Sequence, residues 1–122
     1  MTSPLAGRVI IAAGEGERID AVVAALLDGD ALVAVVAQRT SASHAPAWFR
    51  VDPTDPEVWQ RVVPHVEQRL GPIDAAVTTA DVHELVSGLL ETDMRRRGHG
   101  AVIDVDAALD AADVVRSLGN TH

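Results

Sequence analysis

Apolar residues recur along this chain in two alternating rhythms. Short continuous apolar runs are bounded by glycine or by polar turns. Between them lie longer stretches in which apolar positions return every three or four residues. The runs are Arg8–Ala13, Ala31–Ala37, Trp48–Val51, Ile73–Thr78 and Ala101–Val105. Each reads as a strand buried on both faces, as the strands of a parallel sheet are. The longer stretches predict helices. Glu17–Asp28 lines up Ile19, Val22, Val23, Leu26 and Leu27 on one stripe. Pro56–Leu70 does so with Val58, Trp59, Val62, Val63, Val66 and Leu70, and Val82–Arg97 with Leu85, Val86, Leu89, Leu90 and Met94. A last helix is predicted over Ala107–Leu118.

Turn residues set the boundaries. Asp28-Gly29-Asp30 stops the first helix, with Gly29 suited to its C-terminal cap. Thr54 or Asp55 caps the second, with Pro56 in its first turn. Pro64 lies inside that helix and predicts a kink there. Arg95-Arg96-Arg97 complements the dipole at the end of the third. Gln38 to Pro46 reads as a polar loop and Gly98-His99-Gly100 as a turn. Strand and helix in alternation define an α/β protein with a parallel sheet, and residues 1–122 read as one domain.

The stretch that organises the rest is Arg8–Asp20, RVIIAAGEGERID. Strand, glycine turn and helix in succession can bring backbone N–H groups and a helix N-terminus against a phosphate. Yet Glu15, Glu17 and Asp20 place carboxylates where that phosphate would approach.

Composition then excludes several classes of function. The net charge of −8 opposes nucleic acid and anionic membrane surfaces as partners. Cysteine is absent, which removes disulfides, thiolate catalysis and cysteine zinc sites. Tyrosine is absent too, and all ten basic residues are arginine, so no mechanism can use a tyrosine acid or a lysine amine. The start Met1-Thr2-Ser3-Pro4 does not read as a signal peptide and no apolar run is long enough to span a bilayer, so the expectation is a cytoplasmic protein.

Val51–Ala80, VDPTDPEVWQRVVPHVEQRLGPIDAAVTTA, resembles the short-chain dehydrogenase/reductase family. It is similar to that family's D-V-T-D segment, its long helix, its G-P-I-D turn and the strand leading to N-N-A-G. Gly98–Ala107, GHGAVIDVDA, is similar to the G-x-I-V-N-I-S-S strand. The resemblance implies a Rossmann-like three-layer αβα sandwich of about five parallel strands in the order 3-2-1-4-5, without the last two strands of the family. The functional positions depart from the pattern. The family's T-G-x-x-x-G-I-G loop falls on Ala13–Asp20, where Gly14 and Ile19 match while Arg18 and Asp20 replace glycines. N-N-A-G becomes Thr78-Thr79-Ala80-Asp81, the active-site serine falls on Ala107, and the tyrosine position falls on Asn120. The position of the family's lysine lies beyond residue 122.

The resemblance therefore implies a truncated, non-catalytic relative acting as an interaction or assembly subunit, with no cofactor. A homodimer or a complex with another protein, such as a full-length dehydrogenase, is expected through the helix Val82–Arg97 and the sheet edge. A second reading keeps a weak NADP(H) or nucleotide site at Gly14, Gly16, Arg18, Arg39 and Asp52. The simpler account of Asp52 is a turn, and of Arg39 a solvated side chain. A third reading places other chemistry at Asp81, His83 and Glu84, which also fit ordinary capping of a helix. A phosphorylatable receiver domain is excluded, because the first strand ends in Ala12-Ala13-Gly14 without an acidic pair and the chain has no lysine. Trp48 and Trp59 read as core or interface residues.

Overall fold

The elements follow the hydrophobic pattern closely. The structure, a computed structural model, describes residues 5–39, 45–97, 101–108 and 110–119. In order these form β1 (Val9–Ala13), α1 (Glu17–Asp28), β2 (Leu32–Val36), β3 (Ala47–Phe49), α2 (Pro56–Arg69), β4 (Ala75–Thr78), α3 (Ala80–Arg97), β5 (Val102–Asp104) and α4 (Ala111–Gly119). Every strand pairing is parallel, and the order is β3-β2-β1-β4-β5, the Rossmann-like arrangement expected. The turn Gly98-His99-Gly100, Asn120, and the side chains of Met94, Arg95 and Arg97 lie outside the described residues.

The middle strand shows why the apolar runs are continuous. β1 pairs with β2 on one side and β4 on the other, and all five of its residues are buried. Successive side chains point to opposite faces. Ile10, Ala12, Val33, Val35 and Val77 meet Ile19, Val22, Val23 and Leu26 of α1 and Val114 and Leu118 of α4. Val9, Ile11, Ala13, Ala34, Val36 and Ala76 meet Trp59, Val62 and Val66 of α2 and Val82, Val86 and Leu90 of α3. The sandwich thus has α1 and α4 on one face and α2 and α3 on the other. Its outer strands are thinner. In β3 only Ala47 is buried, and β5 is half-buried throughout.

One local expectation is corrected. The last helix starts at Ala111, not Ala107. Residues 104–108 form tight turns, with Ala107 N donating to Asp104 O and Ala108 N to Val105 O, and Asp110 caps α4 by accepting from Asp113 N at 2.8 Å. The D-A-A-D spacing of Asp110 and Asp113 carried that signal. At the end of α1 Gly29 is the C-terminal cap, as expected, with a φ of −86°, and the left-handed residue that follows is Asp30 (φ 64°). Helix α2 continues through Pro64, which is exposed. Asp55 is the residue that caps α2, accepting from Glu57 N at 3.0 Å.

Two polar contacts fix the sheet in place. Asp74, the last residue of G-P-I-D, exchanges hydrogen bonds with Val9 through its carboxylate (2.9 Å) and its own N–H (2.8 Å). Trp59 is 1% exposed, and its indole N–H is satisfied by Pro53 O at 2.9 Å. Trp48, by contrast, is 38% exposed on edge strand β3, its indole donating to Ala37 O and its ring under the Arg50 guanidinium. Among the described residues, no helix is long and apolar enough to cross a membrane.

Candidate functional site

The carboxyl ends of β1 and β4 are the place to look for a site. From β1 the chain continues through α1 to β2 on one side, while β4 pairs on the other. Open α/β sheets bind ligands at such a reversal. The loop Gly14-Glu15-Gly16 sits there. Gly14 is buried with φ +119°, its N–H donating to Val36 O at 3.2 Å. A Cβ on Gly14 would collide with the Thr79 side chain, reaching Thr79 Cβ at 2.9 Å. Glycine is therefore required here twice, by backbone conformation and by the threonine packed against it.

Gly16 differs. Its φ is +130°, it is exposed, and a Cβ there would meet nothing within 4 Å. It caps α1 through its carbonyl, which accepts from Asp20 N at 3.1 Å, and supplies no side-chain acceptor to the first turn. The N-terminus of α1 thus opens onto the rim with its positive dipole end. Glu15 and Glu17 are exposed beside it, and Asp20 is half-buried.

Arg18 reaches to the turn after β5. Its Nη1 donates to Val105 O (3.4 Å), Asp106 O (3.2 Å) and Ala108 O (3.1 Å) in the turn after β5. On the far side of the same turn, the Asp106 carboxylate accepts from Ala80 N at 2.9 Å, at the start of α3. Asp106 is held in turn by its own N–H donating to Asp104 Oδ1 at 2.9 Å. The turn after β5 is therefore strapped to α1 at one end and α3 at the other. Ala107, at the position where the resembled family has serine, lies exposed in this strap and brings no hydroxyl.

The second cluster resolves into separate pairs. Thr79 Oγ1 donates to the Asp81 carboxylate. His83 Nδ1 lies 3.0 Å from Thr78 Oγ1. Both threonines are buried, so each side chain satisfies a polar group of the core. Glu84 is exposed on α3. Among the described residues, no group of three or more His, Asp or Glu is placed to hold a metal ion.

Asp52 and Arg39 lie toward the outer end of the rim. The Asp52 carboxylate accepts from Thr54 Oγ1 (2.6 Å) and Thr54 N (2.9 Å), and these bonds lower its pKa below the usual aspartate value. Arg39 is exposed beyond the end of β2. The structure thus gathers Gly14, Gly16 and Arg18 at one point, with Thr79 and Asp81 beside them. Sequence reasoning had not given Thr79 or Asp106 a role. Thr79 carries no local signal. Asp106 had one, its position two residues after another aspartate, which favours a side-chain-to-backbone turn.

No protein-family model matches the chain, and no curated protein sequence matches it. Solved structures do. A short-chain dehydrogenase/reductase of Serratia marcescens shares 25% identity at a TM-score of 0.50, covering 61% of this chain and 35% of that one. A mutant of a Serratia marcescens short-chain dehydrogenase/reductase superposes over 63% of this chain at a TM-score of 0.52 and 23% identity. An NADH-dependent reductase, A1-R′, solved in complex with NAD, superposes over 98% of this chain at a TM-score of 0.61 and 19% identity. The fold is therefore the Rossmann-like α/β fold of short-chain dehydrogenase/reductases, as the sequence resemblance implied. The chain spans 36% of the length of the Serratia mutant and 70% of that of the reductase.

Proposed function

We propose that this chain works by binding rather than by dehydrogenase chemistry, as an interaction or assembly subunit with a short-chain dehydrogenase-like fold. One observation supports this reading above the others. Four polar side chains near the rim are turned toward the protein itself, Arg18 to the strap after β5, Asp106 to α3, Asp81 to Thr79 and His83 to Thr78. Groups arranged this way hold a shape. Their hydrogen bonds are made within the fold, and the chain has no tyrosine or lysine to add.

The surface proposed for association is the outer side of α3. Leu89 is 41% exposed, Leu85 is half-buried, and Gly88 between them leaves open space above the helix. A second copy or a full-length dehydrogenase laid against this strip would remove leucine from water. Size-exclusion chromatography with light scattering tests it. The expected result is a dimer that Leu89→Glu converts to a monomer. A monomer for both, with no binding to a co-expressed dehydrogenase, would sink the idea.

A second reading has a specific observation in its favour. The first turn of α1 lacks a side-chain cap behind an unobstructed Gly16, and the reductase of the same fold was solved with NAD. A dinucleotide phosphate placed there would face the α1 dipole, with Arg18 adjacent and Arg39 and Asp52 farther along the rim. Calorimetric titration with NADP(H) and NAD(H) decides it. Saturable heat that Gly16→Glu abolishes is the expected outcome, and no heat at millimolar ligand removes this reading.

A further inference from the structure

At the outer edge of the sheet, beside the end of the rim where Asp52 lies, α2 and the carboxyl end of edge strand β3 form an apolar groove of about 230 Å³. Phe49, Val51, Val58 and Val62 form its lining, and Arg61 and His65 stand at its mouth. The helical period produces this arrangement. Val58, Arg61, Val62 and His65 are spaced three and four apart, so one face of α2 presents two valines below and two nitrogen-bearing side chains above. Val62 is buried at the base, Phe49, Val51 and Val58 are half-buried walls, and Arg61 and His65 are exposed. The Phe49 ring meets His65 edge-on at 6.2 Å and an angle of 77°, which fixes one wall.

Charge gives the groove its specificity. The chain as a whole carries −8, yet no residue lining this groove is acidic. The nearest acidic group along β3's exit, Asp52, has its carboxylate turned to Thr54. A cationic mouth above an apolar floor selects an anion with an apolar body. The volume is below the roughly 300–1,000 Å³ of drug-sized sites, so the body is limited to about one ring. We propose that this groove binds a small aromatic carboxylate, its ring against Phe49, Val58 and Val62 and its carboxylate against Arg61 and His65. This site shares no lining residue with the glycine loop Gly14–Arg18 or with the outer side of α3.

The test uses the full chain and phenylacetate, with phenylacetamide as the uncharged isostere. Amide resonances are followed by two-dimensional NMR. Phenylacetate is expected to shift the amides of Phe49, Val51, Val58, Arg61, Val62 and His65 saturably, with a Kd in the low-millimolar range that about ten non-hydrogen atoms in a shallow site allow. Arg61→Gln changes an exposed residue and should weaken phenylacetate between about twofold and fivefold, the range for an exposed ion pair, while leaving phenylacetamide unchanged. Val58→Phe fills the groove and should abolish the shifts, with far-ultraviolet circular dichroism confirming the fold. Equal binding of the two probes, or shifts centred elsewhere, overturns the proposal. So does movement of the same resonances with protein concentration alone, which would assign the groove to a second copy of the chain.

Discussion

Two regions of this molecule use arginine in opposite ways. At the rim, Arg18 is folded onto three backbone carbonyls and closes the turn after β5 against α1. On the flank, Arg61 stands exposed at the mouth of an apolar groove. In the first region polar chemistry is consumed in making the fold, and glycine and threonine interlock so closely that no side chain fits between them. In the second, packing stops short and leaves apolar walls half in water. The difference teaches how one residue type serves two ends: at the carboxyl end of β1 its polar bonds hold a turn, while at the carboxyl end of β3 it borders apolar walls left half in water.

The sharpest way to break that comparison is at the loop. Gly14→Ala should cost on the order of 3 kcal/mol, because it combines a left-handed backbone with a collision against Thr79. Gly16→Ala, which meets open space, should cost only the conformational part, about 1–2 kcal/mol. Urea unfolding of both variants checks the pair. Equal losses would mean that Thr79 does not define the rim.

Arg18→Gln should cost about 1 kcal/mol, a value kept low because the side chain is exposed, and should raise hydrogen exchange in residues 105–108 ahead of the rest of the chain. Unchanged exchange there would show that the strap holds without its arginine. Asp110→Ala removes the cap of α4 and should lower stability by about 1 kcal/mol, read from the same urea curves. Since α4 covers the α1 face, this loss should also appear as faster exchange in α1.

The smallest effect concerns Asp52. Its folded pKa is lowered by the hydroxyl and N–H of Thr54, so the carboxylate form is favoured in the folded state. The contribution is fully present above the ordinary aspartate value of about 3.8 and is lost as pH falls through the lower folded value. Asp52→Asn should therefore flatten the acid limb of the stability curve slightly and leave neutral pH nearly unchanged. A shift at neutral pH larger than at acid pH would assign Asp52 another role.

Much of the fold was legible in the chain. Continuous apolar runs such as Val9–Ala13 and Leu32–Val36 announce strands covered on both faces, and the stripe Ile19, Val22, Val23, Leu26 announces the helix that covers one of them. The candidate site was legible only in part. Gly14 was marked by its place after β1, but the reason it must be glycine is Thr79, sixty-five residues away. Arg18 was visible as a residue replacing a family glycine, whereas its carbonyl partners lie 87 to 90 residues further on. The helix start at Ala111 was missed because the aspartates between 104 and 110 close turns with their own backbone, which period alone cannot separate from helix.

What the sequence determined by itself is therefore the alternation of elements, the parallel sheet and the chemistry that is impossible without tyrosine, lysine or cysteine. These follow from local spacing and composition, which need no knowledge of distant contacts. The tertiary structure alone decided that α4 lies on the face of α1, because no described strand follows it and the right-handed crossover rule leaves its side open. It also decided that Arg18 spans to the turn after β5 and that residues 49 and 65 share a groove. Such pairings are set by where two faces of a sheet meet their helices, and no period along the chain encodes them.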